Sequence, residues 1–70
     1  MVPLIMADTG RVYDIKRIGV EGMQRQFIEG LGFVPRAEVV ILSRNAGNLI
    51  VSIKGSRVAI NGDTAFKIMV

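Results

Sequence analysis

Short apolar runs rich in Val, Ile and Leu, separated by glycines spread along the chain, dominate this sequence. Glu38-Val39-Val40-Ile41-Leu42 and Leu49-Ile50-Val51-Ser52-Ile53 flank Arg44-Asn45-Ala46-Gly47-Asn48, which predicts a β-hairpin with a loop built on Asn and Gly. Lys54-Gly55 turns the chain again into Ser56-Arg57-Val58-Ala59-Ile60, so the three strands form an antiparallel meander. Upstream, Asp8-Thr9-Gly10 is a turn cluster, and Arg11 to Ile18 sets Val12, Tyr13, Ile15 and Ile18 among charges. That imperfect alternation predicts a strand with a bend or bulge partway.

The period changes after Gly22. Met23, Phe27, Ile28 and Leu31 recur at i, i+4, i+5 and i+8, which predicts one short amphipathic helix with Met23 and Phe27 on its packed face. Gly32 is expected at its left-handed C-cap rather than Gly30, because Leu31 still fits the apolar stripe. Asp63 or Thr64 is expected to cap a single helical turn before Lys67-Ile68-Met69-Val70 closes the chain as a last strand. The lead-in from Met1 to Met6 frays or pairs with an edge.

About five short antiparallel strands, with one short helix between the first two, make a mostly-β domain. Curling the sheet into a small SH3-like barrel removes edges that would pair with other chains. At this length the chain buries a core sufficient for one domain, taken as residues 1–70. With three Phe, one Tyr and no Trp, that core is built from Val, Ile, Leu and Met.

Composition then removes most chemistry. No Cys is present, which excludes disulfides, thiolate metal sites and a Cys nucleophile. No His is present, which removes the commonest general base and the commonest transition-metal ligand. Asp8, Asp14, Glu21, Glu29, Glu38 and Asp63 read as solvated or capping, and the Ser and Thr hydroxyls have no evident base. No catalytic residue, cofactor or metal site is expected: thioethers suit Cu(I) better than Fe(II), and Met23 reads as core. Gly30-Leu31-Gly32 ends a helix rather than opening one, so it is no phosphate loop. Nine Lys and Arg against six Asp and Glu give a net charge of +3, dispersed rather than massed. No apolar run is long enough to span a bilayer and the start lacks a signal-peptide pattern, so a cytoplasmic protein without membrane insertion is expected.

Taken in order, several segments resemble the FeoA family of bacterial ferrous iron uptake. They are Pro3-Leu4 and Gly10, Arg25 in the helix, Leu31-Gly32-Phe33-Val34-Pro35, Ser56-Arg57-Val58-Ala59-Ile60, and Ala65 with Ile68-Met69-Val70. The resemblance implies an SH3-like fold and support of FeoB, the membrane transporter with a cytoplasmic G-protein domain, by protein-protein contact. It extends to the C-terminal domain of DtxR-type metalloregulators. The family usually has Gly after the proline, where this chain has Arg36. Pro-Arg fits a type I turn over Val34 to Ala37, without positive φ.

A partner surface is expected at Tyr13, Phe33, Val34 and Pro35, rimmed by Arg36 and Arg57, because aromatic and Arg side chains are enriched at interface hot spots. Phe33, just after a C-cap glycine, has packing against its own helix as the alternative. A nucleic-acid-binding barrel is the rival of a different class, argued against by scarce stacking aromatics. A regulatory or oligomerisation module is the third reading, and the oligomeric state is left open.

Overall fold

The computed structural model describes residues 1–70. The strand expected over Arg11 to Ile18 bends as its broken alternation requires, and the bend divides it into β1 (Val12–Asp14) and β2 (Arg17–Ile18), which enter different sheets. Helix α1 (Gly22–Gly30) follows, then β3 (Glu38–Asn45), β4 (Asn48–Ile53) and β5 (Ser56–Asn61), a one-turn helix α2 (Gly62–Phe66) and β6 (Ile68–Met69). One sheet has the order β1-β3-β4-β5, and β2 pairs antiparallel with β6 in the other. The result is the SH3-like arrangement with its sheet left open. Residues before β1 form a 3-10 turn at Leu4–Met6, and Val2 exchanges two backbone hydrogen bonds with Val70, so the lead-in pairs with the closing segment.

Both hairpins of the meander close in two residues. Ala46 and Gly47 have φ of 51° and 83°, and Lys54 and Gly55 have 50° and 76°. These are type I′ turns, whose twist matches the twist of the strands. The first is tighter than the five-residue loop expected from Arg44 to Asn48, and Ala46, not Asn45, occupies the left-handed position. Leu42 is the extra residue of a bulge where the register shifts between Ile41 and Ser43, and Gly10 donates its N–H to the Ile41 carbonyl at 2.8 Å there.

Gly32 does end α1, at φ 110°. Its N–H donates to the Glu29 carbonyl at 3.0 Å and the Phe33 N–H to the Ile28 carbonyl at 3.0 Å, which is the full Schellman pattern. The amphipathic face is narrower than its spacing implies: Ile28 is buried and Leu31 packs against the core, but Met23 and Phe27 are 86% and 69% exposed. A nine-residue helix on so small a sheet reaches the core only at its C-terminal end. Asn61, rather than Asp63 or Thr64, caps α2, its side chain accepting the Thr64 N–H at 2.8 Å. β5 runs directly into α2, so the cap falls on its last strand residue.

The turn at Val34 to Ala37 departs from expectation. Ala37 donates to the Val34 carbonyl at 3.1 Å, but Arg36 has φ 75°, as at the third position of a type II turn. Tertiary pairing imposes this conformation. The Arg36 N–H must reach the Ile15 carbonyl at 2.7 Å while the Ala37 carbonyl accepts from Ile15 N–H at 2.9 Å, so residue 36 rotates its amide toward the β1–β2 corner.

All 17 buried residues are hydrophobic, and no buried side-chain polar atom lacks a partner. Every polar side chain thus lies at least partly at the surface.

Candidate partner-binding surface

Residues directly opposite one another across a sheet share a face. Val12 faces Val40, Val40 faces Ser52 and Ser52 faces Arg57, so these four form one row across β1, β3, β4 and β5. Their neighbours Val39, Val51 and Ile53 are buried, which puts the row on the outward face. Val12 is 56% exposed within it.

A shallow cleft of about 440 Å³ opens over this row, with Val12, Val40 and Ser52 as its floor and Arg36, Glu38 and Lys54 around it. The turn carrying Arg36 and the hairpin tip carrying Lys54 bring two cations to the cleft lining, and Arg57 ends the row beside Ser52. The only ion pairs in the chain are Asp8 with Arg11 at 4.0 Å and Arg25 with Glu29 at 3.3 Å. Arg36, Lys54 and Arg57 are thus exposed cations without a carboxylate partner, around an apolar floor.

Of the expected contact residues, the structure places Arg36 in the cleft lining, sets Arg57 outside it opposite Ser52, and leaves Pro35 exposed beside Arg36 in the same turn. Phe33 is corrected: it is 0% exposed and is a core residue, because the Schellman geometry folds the residue after Gly32 back under its helix. Val34 is half-buried against the same core. Tyr13 lies opposite buried Val39 and so points away from the cleft. Its hydroxyl accepts the Asp8 N–H at 2.9 Å and the Arg11 guanidinium stands 5.3 Å over its ring, so it braces the loop before β1.

Sequence reasoning missed Lys54, although its place before Gly55 at a hairpin tip was the signal that exposes it. It also missed Arg44, whose guanidinium donates to the Ile5 carbonyl at 2.6 Å and to the Ala7 carbonyl, holding the 3-10 turn against β3. No pattern local to β3 points to that long-range clamp. No three acidic side chains gather closely enough to hold a metal ion, and no helix is long and apolar enough to cross a membrane.

Comparison with known proteins gives the family and the fold. The family model described as the FeoA domain matches residues 2–70. A crystal structure of an iron uptake regulatory protein (FeoA) is 28% identical, with a TM-score of 0.82 over 96% of this chain and 89% of that one. Iron(II) transport protein A from Clostridium thermocellum superposes with a TM-score of 0.91 at 24% identity, over 97% of this chain and 43% of that one. A manganese-dependent transcriptional repressor superposes with a TM-score of 0.84 at 20% identity, and this chain spans 38% of its length. Those two share the fold. No curated protein sequence matches the chain.

Proposed function

The chain belongs to the FeoA domain family, and from that premise we propose that it is a cytoplasmic accessory protein that docks on the cytoplasmic part of a FeoB-type ferrous iron transporter. The observation that carries this reading is the outward cleft lined by the unpaired Arg36 and Lys54 over an apolar floor, with the unpaired Arg57 at the β5 end of the floor's row. Unpaired cations steer an acidic partner face into contact, and the apolar floor supplies area that loses water once contact is made. An all-apolar set of buried side chains supports binding rather than catalysis. Iron is the cargo of the partner in this reading. The fold shared with a manganese-dependent transcriptional repressor is compatible with a module used in more than one setting.

Nucleic acid finds less support here. The single-strand binders pair a basic groove with stacking aromatics. The exposed aromatics Phe27 and Phe66 are absent from this cleft, and Tyr13 faces away from it.

The test is titration of the purified cytoplasmic part of a FeoB-type transporter with this protein at two salt concentrations. Arg57→Glu and Lys54→Glu are expected to weaken binding at least tenfold, with a loss that shrinks at high salt, while Lys67→Ala, at the end of α2, leaves it unchanged. Equal binding by all three variants would remove the cleft as the docking surface. No binding by the wild-type protein would remove the partner.

A further inference from the structure

A second surface differs in kind from the cleft. Strand β5 is the outer strand of its sheet, with no strand beyond it. Its hairpin with β4 closes in two residues, so Ser56, Val58 and Ile60 exchange ladder bonds with Ile53, Val51 and Leu49. The alternate residues Arg57 and Ala59 therefore turn their N–H and C=O groups away from the sheet, and neither bonds to any loop or turn. Edges of this length are normally covered or blunted. This one carries no proline, bulge or inward charge along Ser56–Asn61.

Beside the edge runs a groove of about 180 Å³ between β5, α1 and α2, lined by Phe27, Ile28, Ile60 and Thr64 among others. Phe27 is 69% exposed and Met23, one turn before it, is 86% exposed. A free strand edge next to an apolar groove under a helix is the arrangement that receives an added strand: the main chain bonds the edge and alternate side chains enter the groove.

We propose that the β5 edge and the groove beneath α1 receive an extended segment of a partner protein, added as a fifth strand, with apolar residues at alternate positions and a carboxylate opposite Arg57. The alternation is set by the pleat. Residues on the inner side meet Phe27 and Ile60, and those on the outer side meet Ala59 and the unpaired Arg57 guanidinium. That uncompensated charge selects an acidic over a basic segment. This inference rests on the reading of the chain as a partner-binding domain; its edge and groove lie outside the cleft, and Arg57 alone is common to both surfaces.

The probe is a blocked hexapeptide of alternating Val and Glu, titrated into the 15N-labelled protein, with an alternating Val and Lys peptide as comparison. Amide shifts and slowed exchange are expected at Arg57 and Ala59, with shifts at Phe27 and Thr64, and at least tenfold weaker binding of the Lys peptide. Ala59→Pro removes an outward N–H that no ladder bond uses and is expected to abolish binding with the spectrum of the core unchanged. Phe27→Ser, at an exposed site, is expected to weaken it at least fivefold. Shifts confined to Val12, Arg36 and Lys54, or concentration-dependent shifts at β5 without peptide, would overturn the proposal, the latter by showing a second copy on the edge. Because the transporter is absent from this experiment, its failure leaves the docking test above independent.

Discussion

Arg36 is the residue whose conformation and chemistry disagree, and Arg36→Gly measures that disagreement. An L-residue in the left-handed region costs about 1–2 kcal/mol, and Arg36 sits there at φ 75°. Glycine removes that cost but adds freedom to the unfolded chain, which opposes folding by about 0.5–1 kcal/mol. The side chain is exposed and makes no hydrogen bond or ion pair within the protein, so its loss subtracts nothing. The backbone bond from residue 36 to the Ile15 carbonyl survives the change. The net expectation is a stabilisation of about 0.5–1 kcal/mol, or roughly 2–8 °C in Tm for a domain of this size. Thermal and urea unfolding of Arg36→Gly beside Arg36→Ala decides the matter, since Ala lacks the guanidinium but retains the strained Cβ. Arg36→Gly no more stable than Arg36→Ala would refute the reasoning. If the cleft docks a partner, the stabilised variant also binds it more weakly, which is the pattern of strain retained at a functional site.

Other substitutions separate the roles of neighbouring residues. Gly32→Ala places a Cβ 2.5 Å from the Lys54 side chain at φ 110°; the lysine can move but the backbone cannot, so urea unfolding should show a loss of about 1–3 kcal/mol. Phe33→Ala empties a fully buried site and should cost about 3–5 kcal/mol, whereas Phe27→Ala should fall within about 0.5 kcal/mol; equal losses in thermal unfolding would contradict the burial described. Arg44→Ala should cost about 1–3 kcal/mol and speed amide exchange at Met6 and Ala7, whose N–H groups bond Pro3 and Leu4; unchanged exchange would mean the clamp is idle.

Local rules were sufficient wherever neighbours in sequence make the structure. The existence of the two hairpins follows from apolar runs on either side of Gly47 and Gly55, although the first turn is tighter than its sequence implied, and the end of α1 follows from Gly32, whose φ no other residue adopts cheaply. That no His or Cys is available as ligand, base or nucleophile was also legible directly, because no folding can supply a side chain the chain lacks. The order of short motifs pointed to the FeoA family, which the match over residues 2–70 shows.

Tertiary pairing decided the rest. Whether an apolar residue is buried depends on what the fold brings against it, so the same helical stripe contains buried Ile28 and exposed Phe27. Pro-Arg favours one turn locally, yet two bonds to Ile15 hold Arg36 in another, because together they outweigh a local preference of about 1–2 kcal/mol. The candidate site shows the division most clearly. Arg36, Lys54 and Arg57 are scattered along the sequence and become one surface only because the meander lays a turn, a hairpin tip and a strand side by side.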